Sequence, residues 1–329
     1  MTRVAVIGVG SMGQNHARVY FNSDEAELVA VSDANEQQAE RIGKKYNVPF
    51  YKDYKKMLEM EEIEAVSIAV PTSLHKEVAL FNMYKRKHIL LEKPIAASEE
   101  EAREIIDAAE KNKVRLMVGH IERFNPAILE LKKRWPELGE IYKIEVQRIG
   151  PFPGRMTDVG VIIDLSVHDI DIINYLTNMY PTKVFAETQQ KLHPHHEDSV
   201  TALLRYGKDI KALLSINYLS PTKIRQLKVF GEKGMFETNY LTQELFFYEN
   251  PGYTSDSWDT VIEGDMRKII IQKKEPLQAE IEAFLSCVKE GHDAPVNGQQ
   301  GLDVLRIANY LISSAKENKM VELSWQRKN

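Results

Sequence analysis

The stretch Arg3-Val4-Ala5-Val6-Ile7-Gly8-Val9-Gly10-Ser11-Met12-Gly13, with Asp33 twenty residues beyond its last glycine, decides the fold of the first part of the chain. The apolar run before Gly8 reads as a buried parallel strand, and Gln14-Asn15-His16-Ala17-Arg18 opens a helix. Gly8 permits the tight turn, Gly10 lets the backbone approach a pyrophosphate, and Gly13 brings helix and strand close together. The pyrophosphate then lies at the helix N-terminus, where unpaired N–H groups and the helix dipole favour an anion. A second apolar run, Leu28-Val29-Ala30-Val31-Ser32, delivers Asp33 to where an adenosine ribose would lie. A carboxylate there accepts hydrogen bonds from both ribose hydroxyls of NAD and repels the 2′-phosphate of NADP. After Asp33 come Ala34-Asn35-Glu36, with no arginine between Asp33 and Arg41 to accommodate that phosphate. The expected cofactor is therefore NAD. A glycine-rich turn without a ligand is the alternative, and the strand, helix and acid that accompany it weigh against it.

Outward from this turn, short apolar runs alternate with amphipathic stretches up to about residue 120, as repeated strand–helix units do. Strands are predicted over residues 4–8, 28–32, 65–69, 88–91 and 116–118, with helices over 35–46, 74–85 and 99–112. Ser98-Glu99-Glu100-Glu101 is a helix start, a capping serine with acids in the first turn. The expectation is a doubly wound parallel sheet with right-handed crossovers, a Rossmann domain over residues 1–120.

After Gly139 the rhythm changes to longer, alternating strands over 141–149, 183–190, 199–206, 210–217 and 223–231. Turn signals such as Tyr206-Gly207-Lys208-Asp209 and Gly231-Glu232-Lys233-Gly234 join successive strands tightly, which makes them antiparallel. Helices over 161–176 and 276–290 interrupt the series. The last helix, over 301–319, carries Leu302, Leu305, Ile307, Ala308, Leu311 and Ile312 on its apolar side. The second domain, 121–329, is therefore expected to be α+β with a large open, mostly antiparallel sheet, its last helix packing back toward the first domain. One sheet face covered by helices leaves another over. An apolar leftover face calls for a homo-oligomer, dimer or tetramer.

Bulk properties set further limits. A net charge of −5 and the lack of a basic tract argue against nucleic-acid binding. The single cysteine, Cys287, excludes an internal disulfide framework and a multi-cysteine metal site, and is expected to pack within the helix at 280–289. No apolar run reaches membrane-spanning length, and the start of the chain leads directly into a strand without a signal-like segment, so the expected location is cytoplasmic.

Three clusters carry potential chemistry. Glu92-Lys93-Pro94 follows the run Ile89-Leu90-Leu91, beyond the carboxyl end of a strand, where ligands of open α/β sheets lie. A lysine there can polarise a hydroxyl or carbonyl, and a partly desolvated ammonium gives up its proton more readily. Pro94 makes a cis Lys93–Pro94 bond possible, which would fix the direction of the lysine. An ordinary solvent-facing lysine fits equally well. In Gly160-Val161-Ile162-Ile163-Asp164-Leu165-Ser166-Val167-His168-Asp169-Ile170-Asp171, Asp164 and His168 share one helix face in apolar surroundings. A histidine with a carboxylate one turn away suits removal of a hydroxyl proton, and a helix-surface ion pair is the alternative. The third cluster, His193-Pro194-His195-His196-Glu197-Asp198, lacks the spacing of a preformed metal site and reads as a polar connection between strands. No metal is expected.

Taken together, Gly8-Val9-Gly10-Ser11-Met12-Gly13, Pro71-Thr72-Ser73-Leu74-His75, Glu92-Lys93-Pro94, and Gly160 through Asp164 to His168 resemble the glucose–fructose oxidoreductase and inositol dehydrogenase superfamily. The four blocks lie in both domains, and the resemblance spans nearly the whole chain. It implies a Rossmann domain followed by an α/β domain with a large open sheet, and oxidation or reduction of sugar or cyclitol carbons with a nicotinamide cofactor. Carried onto matching positions, it implies Lys93 and His168 as catalytic groups and Asp164 as a substrate-binding or orienting carboxylate. The implied cofactor contacts are Gly8, Gly10, Ser11, Met12, Gly13, Asp33, Pro71, Thr72, His75, Glu92 and Lys93.

Within the superfamily, the stretches Met117 to Pro126 and Asp158 to Asp169 look most like those of UDP-N-acetylglucosamine 3-dehydrogenases. That likeness implies NAD-dependent oxidation of the sugar 3-hydroxyl, giving a 3-keto nucleotide sugar for 3-amino-sugar synthesis. Inositol or free-sugar dehydrogenases are the alternative, and a non-catalytic NAD-binding regulator stands further off. A UDP group requires cationic donors, and Arg123, Arg148 and Arg155 flank the expected site. The expected substrate contacts are Lys93, Arg123, Asn125, Arg155, Asp164 and His168.

Overall fold

The first six strands form one parallel sheet whose central strands are buried on both faces. β1 (Thr2–Ile7), β2 (Ala26–Ser32), β3 (Phe50–Tyr51), β4 (Ala65–Ile68), β5 (His88–Glu92) and β6 (Leu116–Gly119) pair in the order β3-β2-β1-β4-β5-β6. Every pairing is parallel. Val4 to Ile7, all of β4, and Ile89 to Leu91 are buried, so these runs have no face left for water. The strand order reverses direction between β1 and β4, which is where a doubly wound sheet opens a ligand crevice.

The computed structural model describes residues 1–153, 159–251 and 263–325. The chain divides into two compact units, Met1–Ile121 with Glu275–Leu305, and Glu122–Lys274 with Arg306–Asn329. In the first unit the crossovers are α1 (Gly13–Phe21), α2 (Glu36–Tyr46), α3 (Tyr54–Met60), α4 (His75–Tyr84) and α5 (Glu99–Asn112). The start of α5 follows its sequence signals: Ser98 Oγ accepts the Glu101 N–H at 3.2 Å, and three glutamates occupy the first turn.

In the second unit, α6 (Pro126–Lys133) precedes β7 (Ile141–Pro151), and a π-helical turn (Ile162–Ser166) leads into α7 (Val167–Thr177). Then come β8 (Pro181–Gln189), β9 (Ser199–Tyr206), β10 (Ile210–Asn217), β11 (Leu219–Gly231), β12 (Gly234–Asn239), β13 (Glu244–Glu249) and β14 (Met266–Ile269), with β15 (Val321–Glu322) near the end. They form one nine-stranded sheet in the order β14-β13-β12-β11-β7-β10-β9-β8-β15. The tight turns make β9–β10 and β11–β12 antiparallel, as the sequence predicts. The β7–β10 pair is parallel, which hairpin reasoning does not reach because α7, β8 and β9 intervene between the two strands.

Alternation sets the faces of this sheet. Val200, Ala202, Leu204 and Tyr206 of β9 are buried, and Ala212, Leu214 and Ile216 of β10 repeat the pattern. On the opposite face Leu203 is 41% exposed, with Phe185 and Leu213 as its cross-strand neighbours. Two helices follow β14: α8 (Pro276–Glu290), which groups with the first unit and packs on α1, and α9 (Gly298–Glu317), whose residues divide between the units at Leu305. Cys287 is buried within α8. Among the described residues no helix is long and apolar enough to cross a membrane.

Candidate functional site

The turn after β1 has the backbone that its glycines demand. Gly8 has φ +81°, and a Cβ there would lie 2.6 Å from the Ala69 carbonyl oxygen. A Cβ on Gly13 would lie 1.7 Å from the Gly8 carbonyl oxygen, so α1 can start this close to β1 only without one. Gly10 has open space on its Cβ side, with no atom within 4 Å. The first turn of α1 has neither a capping side chain nor an acidic residue, which suits it to an anion. Asp33 follows β2, and its two oxygens accept the Val9 and Asn35 N–H groups, each at 2.8 Å. Gln38 donates to the Val9 carbonyl at 2.6 Å. The acid and the glycine turn therefore hold each other, and the open space, the free helix start and the positioned carboxylate fit a dinucleotide.

The next two strand ends converge through histidines. After β4, Pro71 and a 3-10 turn (Thr72–Leu74) lead into α4, whose first residue is His75. The His75 ring nitrogens lie 2.8 Å from the Pro94 carbonyl oxygen and 3.0 Å from that of Val70. Burial pushes this imidazole below its ordinary pKa despite the two carbonyls. After β5 come Glu92 and Lys93, and the Lys93–Pro94 bond is cis. Glu92 Oε1 lies 3.0 Å from His16 Nε2, and Oε2 accepts the Lys93 N–H at 3.3 Å. Burial pushes the Glu92 carboxyl up, but its hydrogen bond to His16 and the nearby Lys93 charge hold it below the ordinary value. His75 and Glu92 are among the residues expected to contact a cofactor. Their polar atoms serve buried partners within the unit, and both residues are buried.

Behind Glu92 runs a chain that the sequence did not signal. His16 Nδ1 lies 3.0 Å from Ser67 Oγ, which lies 2.8 Å from the Tyr20 hydroxyl, all buried. Glu280 of α8 brings a carboxylate oxygen within 4.8 Å of the His16 and Glu92 ligand atoms. Hydrogen bonding accounts for the His16 and Glu92 atoms without an ion.

The second unit holds the Asp164 and His168 segment. Asp164 lies in the π-helical turn and His168 in the first turn of α7, both partly exposed. The predicted i, i+4 pair therefore spans a π-to-α junction rather than one α-helix; π turns recur at functional sites. Two features of this segment were missed. Tyr218, buried after β10, donates its hydroxyl to the Asp164 carboxylate. Burial and the Asp164 charge push the Tyr218 hydroxyl far above its ordinary pKa, so it stays a donor. Glu197 caps the start of the segment, its carbonyl accepting the Val161 N–H at 3.0 Å and its carboxylate the Ile162 N–H at 3.2 Å.

The rest of the histidine-rich loop bonds to itself. Asp198 accepts N–H groups of Lys191, Leu192 and His193, and His193 Nδ1 accepts those of His195 and His196. A cavity of about 540 Å³ within this unit is lined in part by Gly160, Ile163, His195, His196 and Lys316.

The arginines are placed differently from expectation. Arg123, 5% exposed, forms a fork with Asp171 through Nε at 2.7 Å and Nη2 at 2.6 Å. Arg148 forks onto Asp169 at 2.5 and 3.0 Å and reaches Glu122 at 3.0 Å. Asn125 caps α6 through the Ala127 N–H at 3.1 Å and donates to the Tyr240 carbonyl at 3.1 Å. Arg123 and Asn125, expected to contact substrate, and Arg148, expected to flank it, are buried and have these partners within the unit. Arg155 lies outside the described residues.

A dinucleotide turn on a parallel sheet, joined to a unit built on a large open sheet, defines an NAD-binding oxidoreductase. Residues 2–120 match the model of an oxidoreductase family described by its NAD-binding Rossmann fold, and residues 136–323 match the C-terminal alpha/beta domain of the same family. The chain belongs to this glucose–fructose oxidoreductase and inositol dehydrogenase family, whose enzymes act on CH–OH groups. It is 30% identical to UDP-N-acetylglucosamine 3-dehydrogenase of Acidithiobacillus ferrooxidans, covering 93% of this chain and 95% of that one. A solved structure of that enzyme superposes with a TM-score of 0.87 at 29% identity, covering 96% and 97% of the two chains. Myo-inositol 2-dehydrogenase of Thermotoga maritima is 25% identical, with 98% of each chain covered.

The glycines separate folding from binding. Gly13→Ala should destabilise the protein by about 1–3 kcal/mol in denaturant titration, because its methyl group meets backbone. Gly10→Ala should keep wild-type stability and weaken NAD binding by calorimetry. Wild-type stability in Gly13→Ala would contradict the close approach.

Proposed function

We propose that this protein is an NAD-dependent sugar dehydrogenase that oxidises C3 of UDP-N-acetylglucosamine, giving a 3-keto nucleotide sugar. The observation that carries the dehydrogenase reading is the glycine turn with Asp33 locked to Val9 and Asn35. The nucleotide-sugar part rests on the 30% likeness to the Acidithiobacillus enzyme. In this reading Gly8, Gly10, Ser11, Met12 and Gly13 cradle the pyrophosphate, Asp33 takes the ribose hydroxyls, and Pro71 and Thr72 line the way toward Lys93. Bound NAD supplies a hydride acceptor at its nicotinamide. His168 accepts the proton of the substrate hydroxyl, Lys93 stabilises the developing alkoxide, and Asp164, held by Tyr218, orients hydroxyl and histidine.

Inositol or a free sugar is the second reading. It is favoured by the internal pairing of Arg123 and Arg148, which withdraws two cations from a diphosphate site, and by the likeness to myo-inositol 2-dehydrogenase. Incubation with NAD and a panel of UDP-sugars, free sugars and inositols, followed by NADH absorbance, decides between them. Turnover of UDP-N-acetylglucosamine well above N-acetylglucosamine supports the first reading, because remote binding energy lowers the barrier at the reacting carbon. Comparable turnover of free inositol or glucose moves the protein to the second. Lys93→Ala and His168→Ala should each keep NAD affinity and slow turnover about a hundred- to ten-thousand-fold. Retention of most turnover by His168→Ala at neutral pH would remove His168 from the mechanism.

Cofactor choice follows from Asp33. NAD should bind more tightly than NADP, and Asp33→Ala should narrow the gap; equal affinities in the unmodified protein would refute the choice. Self-association is proposed through the sheet face where Phe185, Leu203 and Leu213 stand side by side. Light scattering should return a dimer or tetramer mass, and Leu203→Lys should lower it. A monomer mass for the unmodified protein would exclude this arrangement.

A further inference from the structure

His16 occupies an unusual position for a polar side chain. It lies three residues beyond Gly13, in the helix that starts at the glycine turn, yet its ring is completely buried. Burying an imidazole without partners is costly, so its two hydrogen bonds govern where it can go. A consistent set of donors runs one way: Tyr20 hydroxyl to Ser67 Oγ, Ser67 to His16 Nδ1, and His16 Nε2–H to Glu92 Oε1. The chain ends on a carboxylate whose other oxygen accepts the Lys93 N–H. On the far side of Lys93, the Pro94 carbonyl lies 2.8 Å from His75 Nδ1. The tripeptide Glu92-Lys93-Pro94 is thus gripped from below by two buried histidines, one from α1 and one from α4.

We propose that His16 and Glu92 are positioning residues for Lys93, with Glu92 spanning the α1 histidine and the lysine backbone so that the dinucleotide turn and the lysine keep a fixed register. The proposal rests on the reading of Lys93 as a catalytic group. The argument is geometric. A carboxylate that bridges two donors fixes the backbone from which the Lys93 side chain departs, and small misplacements of a reacting group cost up to a hundredfold in rate. The length of the side chain matters as much as its charge. Aspartate is one methylene shorter and cannot hold both donors. Glutamine keeps the length: its carbonyl accepts the Lys93 N–H while its amide donates to His16 Nε2, once His16 carries its proton on Nδ1 and donates it to Ser67 Oγ.

The test compares Glu92→Asp, Glu92→Gln, His16→Ala and Lys93→Ala in the full chain, with NAD and whichever sugar of the panel is turned over. Glu92→Asp and His16→Ala should lower kcat about ten- to a hundredfold at saturating substrates. Their NAD affinity by calorimetry should stay within about twofold of wild type, since the glycine turn and Asp33 are untouched. Glu92→Gln should recover most of the lost kcat. If His16→Ala fails to fold, the Glu92→Asp and Glu92→Gln pair still decides. Full kcat in folded Glu92→Asp, or NAD affinity that falls in parallel with kcat, overturns the proposal while an inactive Lys93→Ala leaves the reading of Lys93 standing. Retained turnover in Lys93→Ala fells that reading instead.

Discussion

The hydrogen bond from the Val9 N–H to the Asp33 carboxylate ties the glycine turn to the end of β2, and the organisation of the first unit follows from it. With the turn held, Gly8 and Gly13 let α1 start in van der Waals contact with β1 rather than above it. α1 then runs inward, so that Ala17 and Tyr20 pack on the sheet and His16 reaches the end of β5. One helix therefore starts at the glycine turn and places a buried imidazole against the lysine-bearing strand end one turn later.

The second unit fixes its helix by a different means. Asp169 and Asp171 of α7 lie inward and take Arg148 of β7 and Arg123 of the turn before α6 in forked, buried pairs. Such pairs contribute little net stability, because desolvation offsets attraction, but breaking one strands a buried charge, so each admits few alternative arrangements. His168, just before Asp169, remains partly exposed. The Glu197 cap at the other end, with Tyr218 on Asp164, sets the π-helical turn from which Asp164 departs. Charges that look like a ligand site in the sequence here do the work of orientation.

Much of the fold was legible because periodicity and turn chemistry are local. The parallel strands, the Ser98 cap and the strands over Ser199–Tyr206 and Ile210–Asn217 all emerge from patterns a few residues long. The short strands β12 to β14 were missed because runs of six residues or fewer show little alternation, and α6 was missed although Asn125-Pro126 is a helix-start signal. The parallel β7–β10 pair and the grouping of α8 with the first unit depend on contacts far apart in sequence. Motif spacing singled out Lys93, Asp164 and His168 as candidates, but nothing local distinguishes Tyr218 from any tyrosine that follows a strand.

The arginines illustrate the limit most sharply, and they bear on substrate class. A sequence counts cations; only a structure says which have been neutralised. Arg123 and Arg148 are paired with Asp171, Asp169 and Glu122, so a diphosphate approaching them would have to displace buried carboxylates that already satisfy the guanidinium forks. That exchange brings no new charge pairing and leaves a carboxylate stranded, which is a strongly unfavourable outcome in a buried site. Recognition of a nucleotide must therefore come from other groups. The chemistry at a CH–OH carbon, by contrast, asks only for a hydride acceptor, a proton acceptor and a group that steadies the alkoxide, and it is the same for a nucleotide sugar and for a free cyclitol.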